Sequence, residues 1–116
     1  MGVLAAEEKP LKERIEERIK AVVAYYKLDE RRFRATLHGE SGTNHYRKDG
    51  KVKINNVGAT GIAQFIPVTF NSSKVKMGYP EYDINNWEHQ LNLMGWMWSK
   101  GRECEWEVYQ RLFGCE

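Results

Sequence analysis

Apolar residues at Leu11, Ile15, Ile19, Val22, Val23 and Tyr26 recur at intervals of three and four, with Glu, Lys and Arg filling the positions between. That spacing lays one apolar stripe along a helix, and Pro10 stands where a first turn can begin. The charged remainder reads as a solvated surface laced by i,i+4 pairs. Asp29 then offers a cap for a second helix, ERRFRATLHGE, in which Phe33, Leu37 and Glu40 recur at i, i+4 and i+7. A glutamate thus shares a face with two apolar residues, directly before the Ser41-Gly42 break.

Downstream, Asp49-Gly50 sits between short segments in which Val52 and Ile54 alternate with lysines, a hairpin signal. Residues 58–71, GATGIAQFIPVTFN, hold two glycines that allow close backbone approach, Gln64 among apolar neighbours, and a further helical start at Pro67 and Thr69. Residues 78–86, GYPEYDINN, are a loop by composition. Residues 86–100 carry Leu91, Leu93, Met94, Trp96, Met97 and Trp98 and predict an apolar helix. The last segment, CEWEVYQRLFGC, brings Trp106, Tyr109, Leu112 and Phe113. No repeat or linker interrupts the chain. The expectation is one domain over residues 1–116, α+β and mainly helical, with one small β-hairpin.

Composition narrows the function classes. A chain of 116 residues, 41% hydrophobic, can bury one core. Eighteen basic residues against 16 acidic ones leave a net charge of +2. That balance is too even for the phosphate-neutralising surface of a nucleic-acid binder, though mildly suited to anionic polymers. No stretch approaches the roughly 18 apolar residues of a membrane span. The run GVLAA at residues 2–6 is also too short for a signal-peptide core, so an export signal has been removed or never existed. His38, His45 and His89 fall on different elements without a histidine or cysteine partner at i+4, which points to no metal. Cys104 and Cys115 have two readings, a bridge closing a short terminal loop or two free thiols.

Glu40 is the candidate for chemistry. A carboxylate on a core-facing stripe loses hydration, which disfavours its charged form and raises its pKa toward the range of an acid near neutral pH. The other reading is a helix-end residue that turns to solvent or accepts bonds from Ser41 and nearby amides. The helix pattern alone leaves both open.

Two stretches taken in order, Glu40-Ser41 and then Gly58-Ala59, Gly61-Ile62, Gln64-Phe65, Pro67 and Thr69, resemble the lysozyme-like domain of the lytic transglycosylases. The resemblance implies a lysozyme-like fold with Glu40 at a helix end lining the main cleft. It also implies cleavage of the β-1,4 bond between N-acetylmuramic acid and N-acetylglucosamine in peptidoglycan glycan strands. Glu40 would protonate the bridging oxygen, then take the proton of the same sugar's C6 hydroxyl as a 1,6-anhydro ring closes. No cofactor is implied. The expected setting is a monomer acting in the cell envelope, periplasm or outside the cell, or as a phage lysin on the wall.

Substrate-binding roles carried over fall on Ser41, Asn55, Gly61, Gln64 and Tyr109. Gln64 matches the family's cleft glutamine, suited to an N-acetyl group. Asn55 replaces a serine and can donate to Glu40 through its amide. Tyr109 stands in for a terminal Tyr-Asn-Ala-Gly motif that is absent. The hairpin insert is longer than usual, and Ala63 replaces a frequent methionine. Two other readings stay open. One is a hydrolytic muramidase of the same fold, with Asp49 or Asp83 facing Glu40 across roughly 6.5–9.5 Å. The other is a catalytically weak peptidoglycan-binding domain. Trp96 and Trp98 cannot share a helix face, so at least one is expected at solvent or in a cleft, where sugar rings stack.

Overall fold

The computed structural model describes residues 9–116, and the apolar run at residues 2–6 lies outside them. The described chain is mainly helical: α1 (Leu11–Tyr26), α2 (Glu30–Ser41), α3 (Pro67–Met77), α4 (Trp87–Ser99) and α5 (Glu107–Phe113), with a 3-10 turn at Glu103–Glu105. α1 follows Pro10 and buries Ile15, Ile19, Val22 and Val23, the stripe its spacing predicts. Asp29 caps α2, its Oδ1 accepting from Arg32 N–H at 3.0 Å. Asn86 caps α4 in the same way, accepting from His89 N–H at 3.0 Å.

α4 is the central element. Leu91, Leu93, Met94 and Met97 are fully buried, because α1 and α3 both pack on this helix while α2 packs on α5. A helix covered on several sides must be apolar on several faces, and α4 is. Arg34 of α2 reaches across to Glu16 of α1 at 2.6 Å and also pairs with Glu30 of its own helix at 2.9 Å.

The expected β-hairpin shrinks to isolated bridges. Tyr46 pairs with Val52, Ile54 with Thr60 and Thr60 with Phe65, all antiparallel, and no continuous strand forms among the described residues. The Asp49-Gly50 turn is present, with Arg47 N–H donating to Lys51 O at 2.7 Å and Asp49 Oδ1 accepting from Lys51 N–H at 3.0 Å. The ladder stops at Asn55. Its Oδ1 accepts from Val57 and Ala59 N–H at 3.0 and 2.9 Å, so a side chain takes donors that a strand partner would use.

Cys104 and Cys115 are joined by a disulfide with Cα atoms 6.0 Å apart, which decides between the two readings of the pair. It ties the 3-10 turn to the residue after α5's C-cap. α5 has seven residues, too few for a helix to hold alone in water. Packing of Tyr109 against Trp98, with ring centres 5.1 Å apart, secures its other face. Replacing both cysteines by serine is therefore expected to lower the unfolding free energy by about 2–3 kcal/mol. Chemical denaturation under non-reducing conditions measures this, and an unchanged midpoint would mean that packing alone holds α5.

Candidate active site

α2 carries Glu40 in its last turn, just before Gly42, whose N–H closes on His38 O at 2.8 Å. Phe33 and Leu37, on the same face, are fully buried and Glu40 itself is half-buried. The start of α5 lies over it. Gly39 permits that approach, since a Cβ at this position would stand 2.4 Å from Val108 Cγ1. Val108 N–H, a first-turn donor with no partner inside α5, reaches Glu40 Oε2 at 3.4 Å. One helix end thus caps another.

Opposing influences act on this carboxyl. Burial is the largest and pushes Glu40 above its usual value near 4.5, while the Val108 N–H pulls it down. The Glu107 carboxylate then pushes it up and the Arg111 guanidinium pulls it down, and the net direction is upward.

Glu40 opens onto a cleft of about 220 Å³ whose other lining residues include Asn55, Gln64, Thr69, Trp106 and Glu107. Gln64 stands in left-handed backbone at φ +52, a conformation that a non-glycine residue holds only where its surroundings enforce it. Its Nε2 donates to Gly61 O at 2.9 Å, and its Oε1 has no partner among the described residues. The cleft thereby presents an acidic carboxyl and an open amide acceptor together. Asn55 is on the cleft wall, but its expected bond to Glu40 does not form. Its amide oxygen is engaged by the loop, and the one hydrogen bond to Glu40 among the described residues comes from Val108.

Three expected substrate contacts lie elsewhere. Ser41 is buried, its Oγ donating to Ile62 O at 2.6 Å, so it anchors α2 to the following loop. Gly61 is internal at φ +77, and a Cβ there would stand 2.3 Å from Gln90 Nε2 and 2.6 Å from His45 Cε1. Tyr109 is buried, accepting from Arg32 Nη1 at 2.9 Å and packed between Trp98 and Phe113. None of the three lines the cleft.

The second carboxylate also falls in a different place. Asp49 pairs with Arg47 at 2.8 Å in the turn, and Asp83 Oδ1 accepts from Asn85 N–H at 2.8 Å in its own loop. Neither reaches the cleft, whereas Glu105 and Glu107 line it. Glu105 is paired with Arg102, and Glu107 has no ion-pair partner among the described residues. The sequence signal was the acidic pair flanking a tryptophan in CEWEV. Trp106 is buried on the cleft wall with Nε1 donating to Ala63 O at 2.9 Å. The expectation of the main cleft is corrected as well, because a larger groove of about 840 Å³ opens against α1 and, among the described residues, shares no lining residue with this one.

Among the described residues, no group of three or more His, Cys, Asp or Glu side chains is placed to hold a metal, and no helix is long and apolar enough to cross a membrane. No known protein family, curated protein or solved structure matches the chain.

The raised Glu40 value fixes the sign of a stability effect. The folded state binds its proton more tightly than the unfolded chain, so Glu40 lowers stability progressively as pH rises from about 4.5 through its folded value. Glu40→Gln removes that loss. The variant is expected to melt above the parent at pH 7 and level with it near pH 4. A gain equal at both pH values would mean that shape, not charge, sets the difference.

Proposed function

We propose that the chain is a peptidoglycan lytic transglycosylase with a lysozyme-like fold, in which Glu40 is the single acid–base group. The observation that carries this reading is a half-buried carboxyl, held above its usual value, at a helix end that opens into a cleft beside an amide with a free acceptor oxygen. In the protonated form Glu40 donates to the bridging oxygen, and the bond from that oxygen to the muramoyl C1 breaks as positive charge develops on the ring. The sugar's own C6 hydroxyl then bonds to C1, and its proton returns to the Glu40 carboxylate. A 1,6-anhydromuramoyl end and a free N-acetylglucosamine end result, and the acid is regenerated without water. Gln64 Oε1 is suited to accept from an acetamido N–H of the bound strand. The disulfide fits work outside a reducing compartment.

A hydrolytic muramidase is the second reading, favoured by Glu107. This carboxylate shares the cleft with Glu40 and has no ion-pair partner among the described residues, so it is available to activate a water. Mass spectrometry of fragments released from purified cell walls separates the two. Anhydro ends are expected, whereas reducing ends would transfer the assignment to hydrolysis through Glu107, and no release would leave a binding domain. Glu40→Gln is expected to reduce release by about 10²–10⁴-fold with folding retained. Activity of the parent should also fall as pH rises through the Glu40 value, since the acid form starts the reaction. Full activity in a folded Glu40→Gln protein would place the chemistry on another residue.

A further inference from the structure

The larger groove, about 840 Å³, lies between α1, α4 and the loop that follows α3, and the acid–base reading gives it no task. Six aromatic residues line it: Tyr25, Tyr26, Tyr79, Tyr82, Trp87 and Trp96. Trp87 and Tyr82 are buried in its floor, while Tyr25 is 79% and Tyr79 45% exposed at its rim. Rings left in water around a concavity of this size mark a binding surface rather than a core.

The floor is polar and held in place. Arg18 Nη2 donates to Glu88 Oε2 at 2.6 Å and its Nη1 to Asn92 Oδ1 at 3.1 Å, and Asn92 Nδ2 donates to the Tyr82 hydroxyl at 3.1 Å. This chain uses the Tyr82 oxygen as an acceptor and leaves its proton without an acceptor among the described residues. Tyr82 is only 8% exposed, and its ring is clamped by stacking on His89 at 4.3 Å. A hydroxyl proton that no described residue accepts, on a ring fixed at the groove floor, is free to donate to a molecule bound there. The hydroxyls of Tyr25, Tyr26 and Tyr79 also have no described partner. Burial first, then Tyr25, Tyr82 and Tyr79, hold the Tyr26 phenol above its ordinary value, which reflects how closely these groups converge.

Charge decides among ligand classes. Arg14 and Arg18 are matched by Glu17 and Glu88 along the same walls, so the groove favours neither a phosphate polymer nor a cationic peptide. Flat apolar faces beside unpaired hydroxyls suit a neutral ligand with C–H faces and alcohol or amide groups, which is the chemistry of a sugar chain. An acetamido carbonyl is the acceptor that the Tyr82 proton lacks.

We propose that the groove between α1 and α4 is a second, non-catalytic binding site for a β-1,4-linked, N-acetylated glycan strand. The identity of the strand as wall glycan rests on the function proposed above; the sugar chemistry of the groove does not. Because the two concavities share no lining residue among those described, one strand can occupy the groove while another is cut, and tethering to the wall raises the effective substrate concentration at Glu40.

The test is an NMR titration of the Glu40→Gln full chain with the β-1,4-linked tetramer of N-acetylglucosamine, reading the Trp96 indole N–H. Saturable shifts are expected. Their midpoint should move to roughly tenfold higher sugar in the Tyr25→Ala, Tyr79→Ala double variant, as expected for lost ring stacking. It should also move upward in Tyr82→Phe, which keeps the ring and removes only the hydroxyl. An unmoved Trp96 signal, unchanged midpoints in both variants, or equal response to an α-1,4-linked glucose tetramer would overturn the assignment. Wall-fragment release by the parent chain is scored separately. Sugar binding at Trp96 without release would retain the groove and reject the enzyme, and release without binding there would reject the groove alone.

Discussion

The backbone of residues 60–64 belongs to no helix and no continuous strand, yet Thr60, Ile62 and Ala63 are buried, so its polar groups must find partners within the protein. Backbone bonds such as Thr60 N–H to Phe65 O and Gly61 N–H to Lys53 O satisfy part of the stretch, and side chains from other segments supply the rest. Gln90 of α4 accepts from Ala63 N–H at 2.9 Å and donates to Thr60 O at 3.0 Å and Ile84 O at 2.7 Å. His45 Nδ1 accepts from Ile62 N–H at 3.0 Å, which puts the ring proton on Nε2, where it donates to Asn85 O at 2.8 Å. Burial holds this imidazole below its usual value despite the opposing effect of the Asn85 carbonyl, in keeping with a neutral ring. Ser41 and Trp106 complete the set by donating to Ile62 O and Ala63 O. Only a glycine fits at position 61, where a side chain would displace Gln90.

The candidate site depends on this knot. Ser41 follows Glu40 and Trp106 precedes Glu107, so the α2 end and the α5 start that enclose the carboxyl are both pinned to the same five residues. Gln64 is the last of those five, and its left-handed backbone follows from the turn that Gly61 begins. A loop satisfied by buried side chains is rigid because each partner, once lost, leaves a buried group unbonded at about 1–3 kcal/mol. That rigidity holds Glu40 and Gln64 at one cleft. It also explains why a half-buried carboxyl is tolerated, since Val108 N–H recovers part of the lost hydration without restoring it fully.

Much of the helical frame was legible from the chain. The period of Leu11 to Tyr26, the Asp29 cap and the register of Phe33, Leu37 and Glu40 each depend on local geometry, and each reappears in α1 and α2. What was not legible depends on contacts between distant segments. The alternation around Asp49-Gly50 does mark a turn, but pairing beyond it is limited by Asn55 and by the side-chain bonds to residues 60–63, which no local pattern announces. The transglycosylase-like pattern places Ser41, Gly61 and Tyr109 among substrate contacts, whereas burial assigns them to the supporting knot and to the core. Beyond the tryptophan they flank, Glu105 and Glu107 carry no local signal, because acidic residues in such a segment usually form solvated surface. The packing of α5 on α2 beside Gly39, together with the Trp106 bond to Ala63 O, joins segments far apart in the chain and brings them to the cleft.

Enclosure by α5 holds the Glu40 carboxyl above the value of an ordinary glutamate, with burial as the largest cause. Titration of its side-chain carboxyl carbon by NMR, assigned by the loss of that signal in Glu40→Gln, measures this directly. The predicted midpoint lies above the usual value near 4.5, and a midpoint at or below that value would contradict the account.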